Sequence, residues 1–206
     1  MTKIAAVVLA AGRSSRFAAA GGGEATKLIA PLAGKALTRF PVEAALASAA
    51  RPVIVVTGHA REAVEAALQG LPLIIAHNPN FASGLASSLQ AGIAALPAGA
   101  DGALVLLGDM PAVTSTLLDR LIARFVDQPD ALAVAPISEG RRGNPVLLSR
   151  KLFGAVAKLT GDEGARRLLA DLSAEQILPV PVEGAEASLD VDTPEALATA
   201  RRALRP

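Results

Sequence analysis

The chain has 206 residues, 51% of them hydrophobic but only 2% aromatic, and a formal net charge of +1. That length supports one domain with a core of Ala, Leu, Val and Ile. With no Trp or Tyr, five Phe and no cysteine, the chain lacks base-stacking platforms, a broad basic footprint, disulfides and a thiol nucleophile, which argues against a single-strand nucleic-acid binder and excludes cysteine chemistry.

The opening run Ile4–Ala10 is apolar throughout and reads as a buried parallel strand. It is short for the apolar part of a secretory leader, and Arg13 and Arg16 follow at once, so a first strand explains it better. The segment Ala18–Thr26 is glycine-rich and reads as a flexible loop that delivers Lys27 inward. Amphipathic patterns then predict helices near Thr38–Ala50, Arg61–Leu68, Gly84–Leu96, Thr114–Val126, Asp162–Leu172 and Pro194–Leu204. Between them, strands are expected at Val53–Thr57, Leu73–Ala76, Ala103–Leu107, Leu132–Ala135, Pro145–Leu148 and Ile177–Pro181. This alternation predicts a mainly parallel sheet with right-handed crossovers. The short loop with Gly140 and Gly143 allows a hairpin there, giving one antiparallel strand. No stretch reaches the ~20 apolar residues of a membrane helix. The expectation is a soluble, cytoplasmic α/β protein of Rossmann-like build, with residues 1–206 forming one domain and no membrane or nucleic-acid partner.

Four segments carry chemistry. The loop after the first strand, Leu9-Ala10-Ala11-Gly12-Arg13-Ser14-Ser15-Arg16, sits where open α/β sheets bind ligands. Free N–H groups, Gly12, serine hydroxyls and two arginines suit a polyphosphate there. It is neither a dinucleotide fingerprint nor a P-loop. Lys27 adds a point charge that would help offset charge on a transferring phosphate. The run Ala103–Pro111 ends its strand in Gly108-Asp109, placing a hard oxygen ligand suited to Mg²⁺ at the same sheet edge; Asp109 is equally suited to starting a turn. Near the end, Asp190 and Asp192 lie on one face of an extended segment, either being a second metal carboxylate. Asp192 or Thr193 would cap the last helix, with Glu195 completing a capping box with Asp192. The segment His77–Ser88 holds Asn78, Ser83, Ser87 and Ser88, which suit either base and ribose or turn and cap chemistry. His59 and His77 form no ligand cluster, and no GxSxG elbow is present.

Taken in order, LAAGRSSRF, Lys27, HNPNFASGLASSL, GDMP, GNPVLL, GDEGAR and LDVDTPE resemble the MobA/MocA-type nucleotidyltransferases, and most closely the molybdenum cofactor cytidylyltransferases. The resemblance implies that Leu9, Ala10, Ala11, Gly12, Arg13, Ser14 and Arg16 wrap the nucleotide and Lys27 contacts the phosphate under attack. It implies that Asp109 holds Mg²⁺ with Asp192, Asp190 being the alternative, and that Asn78, Gly84 and Ser88 face base and ribose. Asn144 and Arg166 would face molybdopterin. The loop Ala18–Thr26 is longer than in relatives, and Phe17 stands where methionine and then glycine are common. Ala11 within LAAG matches the cytidylyl type, where guanylyl relatives often read LAGG. The implied activity is Mg²⁺-dependent transfer of CMP from CTP to molybdenum-loaded molybdopterin, with a molybdenum hydroxylase as recipient of the product. The alternatives are GTP or another NTP, a different phosphorylated acceptor, and a cofactor carrier without turnover.

Overall fold

The computed structural model describes residues 2–22, 26–183 and 190–203. Among the described residues the main sheet has eight strands, the short Arg141–Arg142 strand off its edge and seven in line: β1 (Ile4–Ala10), β2 (Val53–Thr57), β3 (Ile74–His77), β4 (Gly102–Leu107), β5 (Ala133–Ser138), β6 (Val146–Ser149) and β7 (Ile177–Pro181). Six helices are used below: α1 (Arg39–Ala47), α2 (Arg61–Ala67), α3 (Leu85–Ala94), α4 (Ser115–Asp127), α5 (Ala165–Ala170) and α6 (Pro194–Ala203). The strand order is β7-β5-β6-β4-β1-β2-β3. All neighbours are parallel except β6, which runs antiparallel between β4 and β5. The hairpin alternative is therefore the one realised: Ala133 pairs with Leu148, and Arg141–Arg142 at its tip folds back on Ile137–Ser138.

The central strands are buried on both faces, which is why they read as unbroken apolar runs. Along β1, Ile4, Ala6, Val8 and Ala10 enter one core with Val42 of α1, Val64 of α2 and Leu117, Leu121 and Phe125 of α4. Val7 and Leu9, with Ala11 beyond the strand, enter the opposite core with Ala86 and Leu89 of α3 and Leu168 and Leu169 of α5. This period of two follows from the pleat. A third, smaller cluster joins Phe17, Ala30, Leu32, Leu37, Val191, Leu197 and Ala200.

After β1 the chain winds outward through β2 and β3, then returns to β4 on the other side of β1. The order reverses at that pair, so the loops leaving β1 and β4 flank the crevice where such sheets bind ligands. Among the described residues no helix is long and apolar enough to cross a membrane. Two expectations are corrected. Ala18 and Ala19 belong to a short helix, Ser15–Ala19, not to a loop; residues 23–25 of the glycine-rich segment lie outside the described residues. Of the two caps expected for the last helix, Thr193 is the one realised, its Oγ1 accepting from the Ala196 N–H at 3.2 Å. A capping box between Asp192 and Glu195 does not form, because Asp192 is committed to the cleft described next.

Candidate active site

A cleft of about 730 Å³ opens at the carboxyl edge of β1 and β4. One end carries the charge. The Lys27 Nζ lies 2.6 Å from Asp109 Oδ2 and 2.6 Å from Asp192 Oδ1, and Arg16 Nη1 lies 2.5 Å from Asp192 Oδ2. The Lys27 and Asp109 side chains are only 11% and 15% exposed, whereas Arg16 is 78% exposed. The lysine is thus an interior charge and the arginine a movable outer one.

Local structure fixes each group. Ser14, in the left-handed region at φ 53°, shares a 2.8 Å hydrogen bond with Thr26 Oγ1, and its Oγ accepts from the Lys27 N–H at 3.2 Å. The loop after β1 therefore sets the position of Lys27 directly, and the Ser14 hydroxyl is spent on that bracing. Gly108 packs where a Cβ would stand 3.0 Å from the Leu9 carbonyl, and its N–H donates to that carbonyl at 2.9 Å. That close approach brings Asp109 to β1. Asp192 arrives because the Val191 N–H donates to the Asp109 carbonyl at 3.0 Å and the Val191 side chain enters the third cluster.

Burial alone would lower the Lys27 pKa, but Asp109 and Asp192 outweigh it and hold the ammonium above its ordinary range. Partial burial would raise the Asp192 carboxyl, but Lys27 and Arg16 outweigh it and hold it below its ordinary range. Asp190 behaves oppositely: desolvation, then the charges of Asp109 and Asp192, push it up. One carboxylate oxygen, Asp109 Oδ1, is buried without a hydrogen-bond partner among the described residues. Such an orphaned oxygen fits a hard cation. Among the described residues no three His, Cys, Asp or Glu side chains form a ready-made metal cage, so a cation here would complete its shell with phosphate oxygens, as Mg²⁺ commonly does.

The other expected residues divide. Leu9, Ala11, Gly12, Arg13, Gly84 and Ser88 line the cleft, and so does Asp190. The space a Gly12 side chain would take is open, leaving room for a ligand against the backbone. Ala10 is buried in the core. Asn78 is also buried and braces the segment from within: its Nδ2 donates to Ser87 Oγ and Ser88 Oγ at 2.9 and 3.1 Å, and its Oδ1 accepts from the Asn80 N–H at 2.9 Å. Asn144 and Arg166 are not on the cleft wall. His59, Phe81, Leu85 and Asp162, to which the sequence assigns no role, also line the cleft, with the His59 and Phe81 rings 5.8 Å apart. Their place depends on loops meeting in space. Gly58, for example, packs with its missing Cβ 2.7 Å from Phe81 and 2.8 Å from Ala11.

Residues 6–177 match the MobA-like NTP transferase domain. The chain belongs to the MobA-like NTP transferase family. Among relatives of this family, the chain is 33% identical to the purine catabolism protein PucB of Bacillus subtilis, covering 96% of each. It is 28% identical to the molybdenum cofactor cytidylyltransferase of Escherichia coli, covering 98% of this chain and 97% of that protein. It also matches bifunctional GlmU proteins but spans less than a third of their length, 27% in the case of Syntrophotalea carbinolica at 36% identity. Of solved structures, Rv0371c of Mycobacterium tuberculosis superposes with a TM-score of 0.81 at 28% identity, covering 98% of both chains. A further structure of Rv0371c is a complex with manganese, at 27% identity and a TM-score of 0.78.

Proposed function

We propose that this MobA-like chain transfers CMP from CTP to the terminal phosphate of molybdenum-loaded molybdopterin. The observation that carries the reading is the Lys27 ammonium held between Asp109 and Asp192, beside an open glycine loop. The likeness to the molybdenum cofactor cytidylyltransferase along nearly the whole chain supports the choice of substrates. So does Ala11, which gives the loop its cytidylyl-type form.

In this reaction an acceptor phosphate oxygen attacks the α-phosphorus of CTP. A P–O bond forms there, and the bond from the α-phosphorus to the bridging oxygen breaks. Its electrons leave with pyrophosphate. The attacking oxygen is already anionic, so no protein base and no covalent protein intermediate are needed. The protein supplies position and charge. The loop Gly12–Arg16 would hold the triphosphate, with its open backbone and the exposed Arg16. Lys27 would release its carboxylates in part and turn toward the α-phosphate, where a charge–charge contact at about 4 Å is worth roughly 4 kcal/mol at an effective dielectric of about 20, before desolvation. Asp109 and Asp192, with Asp190 beside them, would hold a divalent cation such as Mg²⁺. When bound, that cation neutralises phosphate oxygens as a Lewis acid.

The deciding experiment is pyrophosphate release in Mg²⁺ with CTP, GTP, ATP or UTP, each with and without molybdenum-loaded molybdopterin. Release with CTP only in the presence of molybdopterin is expected. Release with GTP instead would overturn the base assignment and keep the mechanism. Silence with every pair would overturn the reaction and leave a cofactor carrier or another acceptor.

A further inference from the structure

Asp162 is a charged part of the cleft wall to which the mechanism above gives no task. Its position is set by backbone. The Ala86 N–H donates to the Gly161 carbonyl at 3.0 Å. Gly84, at φ +107°, packs so closely that a Cβ would stand 2.2 Å from the Gly161 carbonyl atoms and 2.8 Å from the Asp162 nitrogen. A Cβ on Gly164 would meet the Leu85 side chain at 2.7 Å. The turn before α5 is thus clamped on the first turn of α3, and Asp162 is presented to the cleft without help from its own side chain.

Its neighbours are occupied. Glu163 accepts from the Thr160 N–H and faces Arg167, and Arg167 also pairs with Asp171. Asp162 is exposed, and its side chain makes no hydrogen bond or ion pair among the described residues.

A free carboxylate repels phosphate and accepts two parallel N–H donors. Uracil offers one N–H between two carbonyls, and cytosine an amino group beside a ring-nitrogen lone pair. A 2-amino-4-oxopyrimidine edge offers an amino group and a ring N–H side by side, which matches both oxygens. That edge occurs in pterins and in guanine.

We propose that Asp162 determines specificity by accepting the two-donor edge of a 2-amino-4-oxopyrimidine ring in the cleft. On the reading of the function given above, on which this inference rests, the ring is the pterin of the acceptor. If the nucleotide were GTP, it would be guanine.

The test is equilibrium binding to the full chain, wild type and Asp162→Asn, with no turnover involved. The probes are free pterin, followed by its own fluorescence, and lumazine, its 2-oxo analogue. A parallel pair, GTP and inosine triphosphate, is measured by calorimetry. A charged hydrogen bond lost from the cleft wall should weaken binding about tenfold. The expected result is that loss for pterin in Asp162→Asn, with lumazine unchanged, and with GTP and inosine triphosphate alike. The same loss for GTP but not for pterin would support the residue's role with guanine as the ring. Equal affinities in wild type and variant for both pterin and GTP, or no binding of either to wild type, would overturn the proposal. Because pyrophosphate release is not read, a failure of the transferase reading would be seen separately.

Discussion

Lys27 and Asp192 meet across 165 residues of sequence, and together with Asp109 and Arg16 they make a charge-balanced group at the cleft floor. Both shifted members stay ionised at neutral pH, since the ammonium is pushed up and the Asp192 carboxyl pushed down. Removing either side should therefore damage transition-state stabilisation first. Lys27→Ala and Asp109→Asn are expected to lower pyrophosphate release about a hundredfold or more while circular dichroism shows a folded chain. Full activity in both would remove these residues from the mechanism. At this scale the sequence is legible where a charge closely follows a buried strand, as at Arg16 and Asp109, and at Lys27, where a glycine-rich stretch ends in a lone cation. It was silent at Phe81 and Asp162. Each reaches the cleft only because a glycine elsewhere, Gly58 or Gly84, permits backbones or loops to touch. Asn78 looked like a ligand group because amides suit bases, but the same polarity serves a buried loop brace.

Between elements, Glu43 of α1 ties together three pieces. It pairs with Lys35 of the ladder formed by Pro31–Leu32 and Lys35–Ala36, and its Oε1 accepts from Arg39 Nε at 2.9 Å. Arg39 Nη1 in turn donates to the Ala67 carbonyl at the end of α2, at 2.9 Å. Partial desolvation would raise the Glu43 carboxyl, but Lys35 and Arg39 outweigh it and lower it from its ordinary value of 4.5. A carboxyl whose folded pKa is lowered stabilises the fold above its unfolded pKa, and that contribution is lost as pH falls through the folded value. Urea melts of wild type and Glu43→Gln should differ at pH 7 by less than about 1 kcal/mol after solvent screening. The gap should close as pH drops below 4.5; a gap that widened on acidification would contradict the assignment. The strands of the sheet centre were readable almost to the residue: Ile4–Ala10 and Val53–Thr57 coincide with β1 and β2, because two-sided burial demands a continuous apolar run. The edge strand β3, partly exposed, carries a weaker pattern and starts one residue later than expected. The helix expected at Asp162–Leu172 shrinks to Ala165–Ala170, because residues 161–164 are spent on the clamp against α3. Ser15–Ala19 and Arg141–Arg142 are too short to show a period, and neither is an unbroken apolar run.

For the molecule as a whole, two cores build the sheet, and the small third cluster completes the site. Phe17 follows Arg16, Val191 lies between Asp190 and Asp192, and both pack with Leu37 and Leu197. This cluster, and not the sheet, holds the outer charges over the inner ones. Phe17→Ala is expected to cost about 3 kcal/mol or more in stability through the cavity it leaves. It should also raise the KM for nucleotide more than it lowers kcat, since Arg16 would lose its support while Lys27 and Asp109 keep theirs. Thermal melts and steady-state kinetics together check both; a variant with lowered stability but unchanged KM would uncouple the cluster from the site. The overall strand–helix alternation was evident from the sequence, but the third cluster draws on residues 17 to 200 and has no local pattern.

The Arg16–Asp192 ion pair spans 176 residues. During synthesis the strands that lead into Gly12 and Asp109, β1 and β4, leave the ribosome well before the segment with Asp192. A nascent sheet would then present a phosphate loop with Lys27 balanced by Asp109 alone. The Asp192 carboxylate is made long after Asp109, so a nascent chain halted between them would carry the phosphate loop and Lys27 without the partner that completes the charge balance.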